Sequence, residues 1–282
     1  MALPDFLIIG AMKCGTTTLA AQLAAQPGIF MTSPKEPNFF SDDRVYAAGL
    51  AWYETLFEDA APGDLKGEAS THYTKLPTYP DTVGRMRALL PAPKLIYVVR
   101  DPVERAVSHF IHEWTEGRMS DDPVTAFATH TELVDYGLYA KQITPFIDAY
   151  GVDAVCLTSL ERIKMNPQAE LERVAAHIGF SGHPVWRAEL GAQNVSQARI
   201  RKLPFHRVLV NNQVSRSLRR RLVPKSVRTR IRQGRSFGAR PELPAALRSE
   251  LQARFAPDHI ALTRLFPGVL DGAEDIVKEI AQ

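Results

Sequence analysis

Phe6-Leu-Ile-Ile-Gly-Ala-Met-Lys-Cys-Gly-Thr-Thr-Thr-Leu-Ala-Ala-Gln-Leu-Ala-Ala25 is the stretch that decides how the chain is read. Residues 6–10 form an apolar run of the length and kind expected of a short buried strand. From Thr16 onward Leu19, Leu23 and the alanines between them fall on one side of a helix. Between strand and helix, Gly10 and Gly15 let the backbone turn tightly and direct successive N–H groups inward, and the helix adds its positive N-terminal end. A strand, a glycine-flanked loop and a helix in this order make an anion cradle.

The loop departs from the common nucleotide-binding form. A Walker A loop reads G-x-x-x-x-G-K-[ST], whereas here Gly10 and Gly15 are followed by Thr16 and Thr17, and the lysine stands earlier, at Lys13. In phosphoryl-transfer enzymes that lysine reaches the β- and γ-phosphates and the next hydroxyl holds magnesium, so its displacement argues against ordinary ATP hydrolysis. From the loop alone, a ligand-free strand-to-helix turn stays open as a reading.

Composition bounds the rest. The chain has 282 residues, 45% hydrophobic and 23% charged, enough for one large α/β domain, expected to span 1–282. No apolar run reaches bilayer length and no secretory leader pattern is present, so a cytoplasmic protein is expected. Two cysteines, Cys14 and Cys156, are too few for a disulfide framework or a zinc site. Cys156 reads as core, and Cys14 either as a small loop filler or as a thiolate beside the anion site. Charge is unevenly placed: residues 199–240 hold 14 of the 34 Lys and Arg, and 190–241 hold no Asp or Glu.

Downstream, 28–32 reads as a second strand, and Pro34-Lys-Glu-Pro-Asn-Phe-Phe40 as the loop leaving it. Ligands in open α/β sheets bind beyond the carboxyl ends of strands, which makes Lys35 and Glu36 site candidates; a solvated turn pair is the simpler alternative. Residues 94–99, KLIYVV, suit a buried parallel strand. Asp101 then caps a helix opened by Pro102, and Arg100 and Ser108 are placed to share one anion. A strand over 152–158 and a helix from Pro167 to about Ile178, ended by Gly179, complete a core over 1–180. The order predicts a central parallel sheet flanked by helices. Residues 205–232 read as one or two basic amphipathic helices within a basic segment of about 199–240, and 243–266 as two terminal helices.

These segments together resemble the sulfotransferases that use 3′-phosphoadenosine 5′-phosphosulfate (PAPS), as a bacterial-type member close to the heparan sulfate branch. Lys13-Cys14-Gly15-Thr16-Thr17 resembles that family's K-x-G-T-[ST] phosphosulfate loop. Arg100-Asp101-Pro102 with Ser108 resembles its R-[DN]-P-x-x-x-x-x-S segment for the 3′-phosphate. Lys35-Glu36-Pro37-Asn38-Phe39-Phe40 matches K-E-x-x-F-F, Gly49 with Trp52-Tyr53 matches G-x-x-W-Y, and residues 67–73 match G-E-x-S-x-x-Y.

The resemblance implies that Glu36 deprotonates the acceptor and that Lys13 neutralises charge on the bridging oxygen. Cys14, Gly15, Thr16, Thr17 and Thr18 cradle the phosphosulfate, while Arg100 and Ser108 bind the 3′-phosphate. Lys35, Phe39, Ser70, His72 and Tyr73 become acceptor-side candidates. Arg199 and Arg201 fall where the family has a loop closing on the cofactor, although its K-G-x-Y is not recognisable here. Several heparan sulfate enzymes carry lysine where this chain has Ala69. PAPS is then the donor, 3′-phosphoadenosine 5′-phosphate (PAP) the product, and no metal is expected because lysine does the work of magnesium. The acceptor is a hydroxyl or amine of a carbohydrate, glycolipid or small metabolite. Nucleic acid is not an expected partner, and the basic tract offers peripheral membrane contact. Two rival readings are a magnesium-dependent small-molecule kinase and a nucleic-acid or membrane-surface binder working through the basic tract.

Overall fold

The computed structural model describes residues 3–191 and 241–270. The first strand, β1 (Phe6–Gly10), is buried along its whole length and leads through the loop into α1 (Thr16–Ala24). A strand this apolar is stable only with both faces covered, as in a parallel sheet. The other strands are β2 (Ile29–Met31), β3 (Leu65–Ala69), β4 (Lys94–Val99) and β5 (Val155–Ser159), and all pair in parallel in the order β2-β3-β1-β4-β5. The expected strands at 28–32 and 152–158 are thus trimmed, the second because 152–154 form a 3-10 turn.

Hydrophobic patterning alone did not show β3, whose sequence Leu-Lys-Gly-Glu-Ala carries two charges. Its glycine explains the sequence: a Cβ on Gly67 would come within 2.2 Å of the Phe6 ring and 2.5 Å of the Met31 sulfur. The neighbouring strands fill the space a side chain would need.

Between β2 and β3 lie α2 (Asp43–Tyr46) and α3 (Gly49–Thr55). A 3-10 turn (Thr71–Thr74) and α4 (Thr82–Leu89) follow β3. After β4 comes α5 (Pro102–Thr115), started as expected: Asp101 accepts the Glu104 N–H at 2.7 Å, with Pro102 in the first turn. Further helices are α6 (Pro123–Thr129), α7 (Glu132–Asp135), α8 (Tyr139–Tyr150), α9 (Leu160–Met165) and α10 (Pro167–His177). The last ends at Gly179, with φ of +80°.

In place of two terminal helices there is one, α11 (Ala245–Leu265), running through Pro257. Tertiary contacts offset the hydrogen bond that proline forfeits: Leu251, Phe255 and Leu262 are buried, and Asp258 accepts the Ala140 and Lys141 N–H groups at 2.9 Å each, capping α8 from a distance. The basic segment, with Arg199, Arg201 and the helices expected over 205–232, lies outside the described residues. Among the described residues no helix is long and apolar enough to cross a membrane.

Candidate active site

Because all five strands are parallel, the segments leaving β1, β2, β3, β4 and β5 emerge at one edge of the sheet, where an open α/β sheet places its ligands. The loop leaving β1 is shaped by two glycines for different reasons. Gly15 has φ of +92° and a Cβ there would lie 2.8 Å from Leu160, so both torsion and space demand glycine. Gly10 is needed for space alone: its Cβ would sit 1.9 Å from Thr74 Oγ1, which donates to the Ile9 carbonyl at 2.9 Å. The loop is therefore locked to β4 by the Ala11 N–H to Val98 bond (2.7 Å) and to the Thr71–Thr74 turn by Thr74.

Lys13, also at positive φ (70°), stands within the turn, and α1 opens with the Thr18 N–H donating to the Gly15 carbonyl at 3.0 Å, so the Thr16 and Thr17 N–H groups precede the first bonds of the helix. Thr16 is buried, whereas Thr17 and Thr18 are partly exposed. Cys14 departs from its expected place as a cofactor contact. Its side chain is fully buried against the Tyr139 hydroxyl (3.5 Å), and its N–H is taken by the Ala11 carbonyl (3.2 Å). Burial pushes the thiol up to about 11, so it is a filler and no thiolate at neutral pH.

Arg100, at the end of β4, reaches back to the same loop, donating to the Lys13 carbonyl at 3.3 Å. Its Nε is buried without a hydrogen-bond partner, and its ion pair with Glu104 is at the 4.0 Å limit. Such a guanidinium keeps donors available for an anion. Ser108 is on the buried side of α5. A cavity of about 880 Å³ opens beside Arg100, between the ends of β4 and β5 and α11; Tyr139, Ser159, Gln252, Phe255 and His259 are among its walls. Its size suits a nucleotide. Two details were not legible in sequence: the contribution of α11 to this wall, and Arg105, a fully buried guanidinium behind the loop that donates to the Leu133 carbonyl.

At the same end of the sheet, the loop after β2 carries Glu36 at positive φ (63°), with its N–H tied to the Ala69 carbonyl at 3.1 Å. Lys35 Nζ donates to Oε1 at 2.7 Å and Thr71 Oγ1 to Oε2 at 3.2 Å. Burial pushes the Glu36 carboxyl up, but the charge and hydrogen bond of Lys35, with Lys75 and His72, outweigh it and hold the group below the ordinary carboxylate range. Glu36 is therefore ionised at neutral pH and able to accept a proton. His72 is stacked on Tyr79 (4.9 Å); burial, with Lys75 next, lowers it to about 4, so it is uncharged at neutral pH.

Three acceptor-side expectations are corrected. Phe39, Ser70 and Tyr73 are all buried. Phe39 stacks on Tyr53 with centroids 4.3 Å apart. Ser70 and Tyr73 each donate to Glu68 at 2.6 Å, and Tyr53 donates to the other oxygen of the same carboxylate. Burial raises the Glu68 carboxyl despite these donors. Ser70 Oγ also accepts the Asn38 N–H at 3.0 Å, so this knot props the Glu36 loop from behind and faces no ligand. Sequence motifs mark such residues as important without saying on which side of the backbone they lie.

The sequence profile of the Sulfotransferase domain family matches residues 3–263. Mouse heparan sulfate glucosamine 3-O-sulfotransferase 3B1 is 34% identical over 192 residues, covering 63% of this chain and 46% of the relative. The bifunctional heparan sulfate N-deacetylase/N-sulfotransferase 1 of Caenorhabditis elegans is 24% identical over 203 residues, 65% of this chain and 23% of the relative. The chain thus aligns with about half or less of the length of these relatives. The solved sulfotransferase from Alicyclobacillus acidocaldarius superposes with a TM-score of 0.68 at 24% identity, covering 97% of this chain and 100% of that one.

Proposed function

The chain belongs to the Sulfotransferase domain family, and from that premise we propose that it moves a sulfuryl group from PAPS to a hydroxyl or amine of a carbohydrate acceptor by in-line displacement. The observation that carries this reading is Arg100: a buried guanidinium nitrogen with no partner, tied to the phosphate loop and opening on a nucleotide-sized cavity. PAPS supplies the activated sulfuryl group. The loop N–H groups and the Thr17 and Thr18 hydroxyls hold its phosphosulfate, Arg100 and Ser108 its 3′-phosphate, and the cavity walls its nucleoside. Lys13 would offset negative charge on the oxygen that bridges phosphate and sulfate. Glu36, ionised and facing the cleft from the opposite loop, takes the proton of the attacking group.

A carbohydrate acceptor is favoured by the relatives, which are named for heparan sulfate. A cytoplasmic site of action is part of the same proposal, and cell fractionation tests it. Calorimetric titration with PAP, AMP and ATP plus magnesium tests the donor assignment. Binding that requires the 3′-phosphate supports it; preference for ATP with magnesium overturns it in favour of a kinase.

A further inference from the structure

Arg100 has a carboxylate beside it. Glu104 stands one helical turn further along, with Oε2 4.0 Å from Nη2 of Arg100, at the outer limit of an ion pair. Its other oxygen, Oε1, is 3.1 Å from Nη2 of Arg248, which α11 brings across from 144 positions away. The close contact is thus with Arg248, and the stretched one with Arg100. The Arg100 Nη1 donates to the Lys13 carbonyl at 3.3 Å, and its Nε is buried without a hydrogen-bond partner among the described residues. Ser249, next to Arg248, and Asp101, Pro102 and Val103, between Arg100 and Glu104, line the same cavity.

Holding α11 against α5 does not require the Glu104–Arg248 pair. Leu243, Leu251 and Phe255 are buried with Val103, Ala106 and Phe110 in one apolar cluster. Burial on that scale outweighs an ion pair whose side chains are 42% and 31% exposed. The charge order Arg100, Glu104, Arg248 has a different consequence. A phosphate approaching Arg100 meets Glu104 both as a like charge and as a competitor for the same guanidinium. Arg248 offsets the charge and, by taking Oε1, restrains the competitor.

We propose that Arg248 is a positioning residue for the anion at Arg100: it holds Glu104 back from that guanidinium and balances its charge, so that Arg100 keeps its N–H groups for the 3′-phosphate. Glu104 and Arg248 act through Arg100 and not by touching the ligand. This rests on the reading of PAPS as the sulfuryl donor.

The test is calorimetric titration of the full chain with PAP and, in parallel, with AMP, which lacks the 3′-phosphate. Arg248→Met frees Glu104 to close on Arg100 and is expected to weaken PAP about two- to fivefold, the range a partly exposed ion pair supplies, with AMP unchanged. Glu104→Gln removes the competitor and is expected to tighten PAP by a similar factor. In Glu104→Gln/Arg248→Met no competitor remains to be restrained, and PAP is expected to return to near the parent affinity. Both single effects should shrink with added salt, as the Debye length falls from about 10 Å at 0.1 M to about 3 Å at 1 M. A pair that only fastens α11 to α5 gives another pattern: loss of either partner lowers the melting temperature, shifts PAP and AMP binding in one direction, and the double variant does not recover. That pattern, or unmoved PAP affinity in Arg248→Met, overturns the proposal. Failure of the PAPS reading shows separately, as parent protein that binds PAP no more tightly than AMP.

Discussion

On the donor side of the cleft the polar groups stand within a few residues of a strand end: the loop after β1, and Arg100 directly after β4. On the acceptor side Glu36 is held by Thr71, 35 positions away, and its loop is propped by Ser70, Tyr73 and Tyr53 through Glu68. The proposed donor site is thus built from local backbone geometry on adjacent strands, and the proposed acceptor site from a buried polar network that joins distant segments. Changes on the donor side should alter ligand binding with little effect on the fold. Those on the acceptor side should split into two classes, residues that act on the acceptor and residues that only hold its walls.

Glu36→Gln is the sharpest way to break that division. It should cut turnover by about 10²–10⁴-fold while PAP affinity, measured calorimetrically, is unchanged. Because its carboxyl is held low, the acid limb of the parent's rate profile should fall below the ordinary carboxylate range: activity is lost only as pH drops through that lowered value. Arg100→Ala should weaken PAP about 10- to 100-fold, the loss of a charged hydrogen-bond donor to a phosphate, with the melting temperature nearly unmoved. Tyr73→Phe should do the reverse. Removing one donor to buried Glu68 costs about 1–2 kcal/mol, or about 2–8 °C in melting temperature, and leaves PAP affinity intact. A Tyr73→Phe protein of parental stability with impaired acceptor use would return Tyr73 to the cleft. The smallest effect belongs to Cys14→Ala, which should leave PAP affinity unchanged, as a buried thiol without a ligand-facing group requires; slow alkylation of the native protein at pH 8 is its companion observation.

The distinction also explains what was legible in the sequence. β1, β4 and β5 announced themselves as apolar runs. Asp101-Pro102 announced a helix start, and Gly10, Gly15 and Lys13 a loop unlike a nucleotide triphosphate's. Each depends on neighbours within a few positions, where residue type and spacing constrain the backbone directly. β3 was hidden from hydrophobic patterning, and only the resemblance marked it, because its unusual residues have individual reasons: Gly67 yields to Phe6 and Met31, and Glu68 is buried with three hydroxyls converging on it. The two helices expected over 243–266 are one, because Leu251, Phe255, Leu262 and the Asp258 cap hold α11 together through Pro257.

By itself, then, the sequence determined a parallel α/β sheet, a glycine-flanked loop with a displaced lysine, and an arginine at the end of another strand. These follow from periodicity, glycine torsions and helix capping, all short-range. Only the tertiary structure decided which of the marked residues are open and which are sealed: that the Lys35–Glu36 pair is partly exposed, that Phe39, Ser70 and Tyr73 are buried, and that Cys14 is sealed against Tyr139. Whether a side chain turns toward ligand or core depends on what distant segments leave open, and on whether its polar atoms find partners once water is excluded.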